Sequence, residues 1–261
     1  MDSRTDSNLW ADTPFALLKI PGQPSGPVCA NTGVLSVAIE MANVHNALLR
    51  PLNAIYHQAP FVHLPTDVTD FMLYITAWAD TLHHHHSLEE SLLFPKVVAI
   101  AKEAGIDDCE DVMGGNVEQH HDFEPKIAGL MKWAEWVMAG EKTYDAAELK
   151  RQIDDFAPVL TQHLHDEIDT LIKLEKCDGE KIRQAMKETA DEGVRTADPN
   201  LVIPLVLGSV DRGYPGSESF PPVPFFIPYL NAYWFTRKHK GSWRFNPSDH
   251  WGNPRPLQFL Q

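Results

Sequence analysis

The sequence predicts an all-α protein: an up-down-up-down four-helix bundle with an extra helix and an irregular Pro- and aromatic-rich C-terminal wrap. Three observations lead there. Apolar residues recur in four segments at alternating spacings of three and four, the buried stripe of an amphipathic helix. The connections between these segments are short enough for antiparallel neighbours. In each stripe, one or two positions that should be apolar hold His or Glu instead.

Residues 1–32 read as an irregular leader rich in Pro, Gly and Ser. Helix 1 is expected over 33–56, with the stripe Val34, Ala38, Met41, His45, Leu48, Leu52, Ile55 and a bend at Pro51. Helix 2 is expected to start at an N-cap on Thr66 or Asp67 and to reach Phe94. Its stripe is Phe71, Tyr74, Trp78, Leu82, His85, Glu89, Leu92, and Pro95 kinks or ends it before a continuation to Gly105. A loop over 106–115 leads to helix 3, 116–138, with Met113 and Val117 entering the stripe His120, Phe123, Ile127, Leu130, Ala134, Val137. Asp145 opens helix 4, which runs to Lys176 along Leu149, Ile153, Phe156, Leu160, His163, Glu167, Leu171, Leu174. Helix 5, 178–194, is charged and mostly superficial, so the bundle spans 33–194. Residues 195–261, including FPPVPFFIPYLNAYWF and SWRFNPSDHWGNPRPL, read as a non-helical extension packed on the bundle.

The formal charge of −14 argues against nucleic acid or an anionic membrane as partner, since both call for basic patches. Cys29, Cys109 and Cys177 are too few and too dispersed for a disulfide framework. The N-terminus lacks the basic start and apolar core of a signal peptide, and the longest aliphatic run, 201–207, is broken by Pro204. The expected location is the cytoplasm.

In chain order the polar interruptions are His45, then His85 with Glu89, then His120, then His163 with Glu167. An unpartnered buried carboxylate costs several kcal/mol, and a metal ion removes that cost. Imidazole with carboxylate suits iron, manganese or zinc, and the absence of a thiolate motif speaks against structural zinc. Four His and two Glu exceed what one zinc takes, and match two metals about 3.5–4 Å apart with both carboxylates as bridges. Stripe phase sets His86, Glu90 and His121 aside as alternate ligands and places His83, His84 and His86 outside the inner ring or in solvent; Glu118, whose ExxH spacing to His121 stands alone, is a further alternate. No HExxH, GxSxG, Walker or GxGxxG pattern is present.

The segments HNALLRPLNAI, HHSLEESLLFP, HHDFEPKIAGL and HLHDEIDTL resemble the ligand helices of hemerythrin-like (HHE cation-binding) proteins, over about residues 33–176. HNALLRPLN and NVEQHHDF are most similar to fungal members. The resemblance implies that His45, His85, Glu89, His120, His163 and Glu167 hold a non-haem di-iron centre. Two departures stand out. Asn116 occupies the position of the first His of the HxxxH found in oxygen-carrying members, and helix 4 has HxxxE where those have HxxxxD. One imidazole fewer implies open positions at both metals, which favours reaction over reversible storage. The expected function is therefore binding and activation of O2, peroxide or NO, with an oxidase or oxygenase reaction on a small organic molecule. A non-enzymatic iron or oxygen binder, sensor or store is the reading from another class. No residue identifies the organic substrate or a catalytic acid or base.

Overall fold

Four long helices meet around one core along apolar stripes interrupted by buried His and Glu. The computed structural model describes residues 10–106 and 109–260, with only the backbone at 109–112. Helix α1 spans Thr32–Gln58 and begins at Asn31, whose side chain accepts from the Gly33 and Val34 amides. Pro51 lies within it without ending it. Helix α2 spans Pro65–Leu88. Its N-cap is Leu64, not Thr66 or Asp67, because Pro65 supplies a preset φ and lacks the amide that a cap would satisfy.

A π-turn, Glu89–Leu93, joins α2 to α3, Phe94–Glu103. Pro95 explains it: the ring has no N–H to donate and crowds the carbonyl of Ser91, so the helix widens by a residue and continues. Helix α4 spans Cys109–Met138, seven residues longer than the pattern predicts. A Cβ at Gly114 or Gly115 would meet nothing, so these glycines lie on an open face while buried Met113 anchors the first turns. Residues 107 and 108 of the expected loop lie outside the described residues.

Asp145 caps α5, Ala146–Ile172, by accepting from the Ala147 and Glu148 amides, and a 3-10 turn carries the chain to Lys176. Asp178 caps α6, Gly179–Thr196, which buries Ile182, Ala185, Met186 and Thr189 on one side. Gly33 meets the Gly179 backbone so closely that a Cβ would lie 2.3 Å from its carbonyl oxygen, which lets α6 pack on the start of α1.

Helix α4 packs against both α5 and α2, while α1 packs against α5 and more lightly α2, closing the ring. Trp78 and Phe156 stack across the centre, and the Trp78 indole donates to the Leu48 carbonyl at 2.9 Å.

The leader is tied to α1 by side-chain amides. Asn46 clamps both backbone groups of Leu18, and Asn53 does the same for Phe15. The C-terminal extension is not free of helix: α7, Val202–Leu207, and α8, Ile227–Tyr233, interrupt it. Proline at N2 of α8 helps to start that helix. Phe245 packs on Phe71 and Tyr74, and Arg244 is paired with Asp67 and Asp70. Tyr74 precedes His85 by 11 residues, about 16 Å along α2, so this aromatic packing thickens the core well away from the His/Glu seam. Among the described residues no helix is long and apolar enough to cross a membrane.

Candidate metal centre

The four long helices bring His45, His85, Glu89, His120, His163 and Glu167 together in the interior. His85 is 16% exposed and the other five are at most 1% exposed. Ligand atoms of His86, Glu89, His120 and His163 lie within 4.8 Å of one another, and so do those of His45, His85 and Glu89. Glu89 belongs to both groups. Its Oε1 is 3.0 Å from His85 Nε2 and its Oε2 is 3.9 Å from His120 Nε2. Glu167 spans the opposite pair, with Oε2 3.4 Å from His45 Nε2 and 3.8 Å from His163 Nε2.

Most of the rings are oriented from behind. His45 Nδ1 donates to the Leu164 carbonyl at 2.8 Å, so Nε2 carries its lone pair inward. His120 Nδ1 donates to Glu90 at 2.6 Å. His163 Nδ1 donates to the Gln119 amide oxygen at 3.0 Å, and Gln119 is held by Asp166. His120 and His163 thus turn Nε2 lone pairs toward each other at 2.9 Å. Two such lone pairs repel unless a cation lies beside them; two nitrogens bound at about 2.1 Å and a right angle stand about 3.0 Å apart.

The unsatisfied atoms point the same way. His45 Nε2, His85 Nε2, both nitrogens of His86 and all four oxygens of Glu89 and Glu167 are buried without a hydrogen-bond partner. Native interiors rarely leave so many polar atoms unpaired in one place, and imidazole with carboxylate is a donor set for iron, manganese or zinc. The residues therefore fit a metal.

Electrostatics agree. Burial, then neighbouring imidazoles, holds His85 and His86 well below the usual histidine range, and the same causes bring His163 down to about 2. All three stay neutral, as ligands must. Burial, then Glu167 and Glu90, pushes the Glu89 carboxyl well above its ordinary value. A nearby cation reverses that penalty.

His86 departs from the expectation. It is fully buried, stacks on His120 at 4.1 Å and faces His163 at 5.3 Å. His83 is 64% exposed, and His84 bonds Thr196 on α6, so these two do lie outside. His121 and Glu118 are exposed on α4, and Glu90 sits behind His120 instead of among the inward atoms. Asn116 is buried one turn before His120. The interior thus gathers five imidazoles, the fifth from α2. The overlapping HxxxE pairs His85–Glu89 and His86–Glu90, with Pro95 just beyond, were the signal for it. A strict stripe admits one of two adjacent residues, whereas here both face inward beside a widened turn.

A groove of about 510 Å³ opens between α2 and α4 with His86 at its base. Leu82, Pro125, Ile127, Ala128 and Met131 form its apolar walls, and Glu124 stands 3.6 Å from His86 Nδ1.

A helical bundle closed around buried His and Glu, most of whose inward atoms have no hydrogen-bond partner, defines a cation-binding protein. The family described as hemerythrin HHE cation binding domain matches residues 39–174, and the chain belongs to that family. It is also 35% identical, over 254 residues, to the dimeric xanthone biosynthesis cluster protein R11 of Cryptosporiopsis sp. (strain 8999), covering 96% of this chain and 93% of that protein. No solved structure matches.

Proposed function

We propose that this chain is a non-haem di-iron protein that binds and activates a small oxidant, O2, peroxide or NO, and uses it on a small organic molecule. The observation that carries the reading is the convergence of five imidazoles and two carboxylates, with His45, His85, His86, Glu89 and Glu167 each presenting buried atoms that have no hydrogen-bond partner. Bound iron would supply the electrons for reducing the oxidant. His86, His120 and His163 would serve one ion, His45 and His85 the other, and Glu89 and Glu167 both. The side with two imidazoles has fewer protein donors, and its His85 is the one member with some exposure, which suits entry of a diatomic molecule there. The groove beside His86 provides a place for the organic molecule, with apolar walls and one carboxylate to fix orientation. The name of the Cryptosporiopsis protein, a biosynthesis cluster protein for dimeric xanthones, supports an organic substrate.

The fifth imidazole also favours a second reading. It matches in number the imidazole missing at Asn116, so a reversible oxygen or iron binder fits the donor set too. Purified protein reconstituted with iron, supplied with a reductant and oxygen, separates the two. Catalytic oxygen uptake beyond one equivalent supports the enzyme, while a stoichiometric optical change reversed by removing oxygen supports the binder. Protein that retains no iron above that of a variant lacking Glu89 and Glu167 would overturn both.

A further inference from the structure

Helix α8 is built inside out. Its buried positions are Pro228 and Asn231, whereas Phe226, Tyr229, Leu230 and Tyr233, spaced as one helical stripe, face solvent at 47%, 55%, 42% and 68% exposure. Phe225 and Trp234 extend the stripe at 85% and 66%. A patch of contiguous aromatics this exposed marks a surface that something covers.

Charge says what covers it. From Ser219 to Ser248 the chain holds Arg237, Lys238, Lys240 and Arg244 and no carboxylate, against −14 for the whole. Arg244 is engaged by Asp67 and Asp70, but Arg237, Lys238 and Lys240 are exposed immediately after the aromatics, with Lys238 only 3.7 Å from exposed Asp198. We propose that residues 225–240 dock the protein on an anionic lipid bilayer, Phe225, Phe226 and Leu230 entering the acyl boundary while Tyr229, Tyr233 and Trp234 sit at headgroup depth and the three cations meet lipid phosphates.

Tyrosine and tryptophan favour that depth because the ring is apolar and its polar atom needs water or a headgroup. A short stripe of this kind with adjacent cations binds in the plane of the interface and does not span it. The overall charge, which argues against a membrane, is screened over about 8 Å at physiological ionic strength, so the local cations decide. A second copy is a poor occupant, since in a two-fold contact the facing stretch 219–248 offers the three cations no carboxylate. The surface does not depend on the metal reading, as no His or Glu of the interior seam lies on it.

The test is co-sedimentation of the full chain with phosphatidylcholine vesicles containing about 30% phosphatidylserine. The wild-type protein is expected to pellet, less so at high salt. Replacing Tyr233 and Trp234 together by Ser should lower the bound fraction at least ~fivefold on any vesicle. Reversing Arg237, Lys238 and Lys240 to Glu should abolish only the advantage of anionic over neutral vesicles. Circular dichroism checks folding, and the charge variant, which alters exposed positions alone, decides the matter if the aromatic one misfolds. Absence of pelleting, or pelleting that both variants retain, overturns the proposal. So does a dimer in solution that Y233S/W234S dissociates, or capture by soluble polyglutamate with no vesicle binding.

Discussion

Glu90 Oε1 stands 2.6 Å from His120 Nδ1, while Oε2 of the adjacent Glu89 approaches Nε2 of the same ring at 3.9 Å. Two consecutive carboxylates of one π-turn therefore address a single imidazole from opposite sides. Glu90 is a positioning residue: it accepts from Nδ1 and so orients the ring with Nε2 inward. Glu90→Gln keeps a hydrogen-bond acceptor but loses the charge, and should weaken metal affinity by about 10–100-fold with little change in the fold. Glu89→Gln removes a buried charge that four facing helices enclose, and should remove most of the metal. Competition titration against a chelator distinguishes the two, and equal losses in both variants would refute the division of labour.

His86 supplies a second expectation. It is fully buried with both nitrogens unpaired, whereas His121 lies on the exposed rim of the groove. His86→Ala should lower the tightly bound metal by about half, because His120 and His163 then lack their third imidazole. His121→Ala should leave metal content at the wild-type level. Elemental analysis after gel filtration reads both; full metal content in H86A would return the site to four imidazoles.

The large scale was legible in the sequence. Stripes such as Leu149–Ile153–Phe156–Leu160 place side chains on one face regardless of neighbours, and the Asp145 and Asp178 caps are local chemistry. What escaped was set by non-periodic or tertiary causes. Adjacent His85 and His86 both reach the interior from the last turns of α2, where a single stripe admits only one of them, and the π-turn at Pro95 lies outside any fixed period. The early start of α4 depends on Met113 finding the core, and that overrides two helix-weakening glycines. The short helices of the C-terminal extension rest on proline entry and packing, not on a stripe facing the core.

The metal-free protein should become less stable as pH falls through the histidine range. His85, His86 and His163 have folded values below their unfolded value of about 6.5, so each contributes stability above that pH and loses it as pH drops toward the folded value. Glu89 acts in the opposite sense, its raised value contributing stability at low pH that is lost as pH rises through it. Three imidazoles oppose one carboxyl, so the histidines set the slope. The thermal midpoint of chelated protein should fall between about pH 7.5 and 5.5. A midpoint that rises over the same interval would mean that these rings are solvated and outside the interior.

The groove beside His86 gives the sharpest separation of metal chemistry from organic turnover. Ala128 is an exposed wall residue on the side of α4 away from the buried positions Phe123, Ile127 and Leu130, so a larger side chain there projects into the groove and not into the core. Ala128→Trp should therefore leave metal content, unfolding temperature and the reaction with oxygen plus a small reductant unchanged. Oxidation of a bulky aromatic substrate should drop by at least ~tenfold, since the volume it occupies is filled. Steady-state rates with a small and a large reductant, measured side by side on one preparation, make the comparison internal. If A128W slows both equally, the groove is not where the organic molecule binds. If it slows neither, the substrate reaches the centre by the His85 side instead.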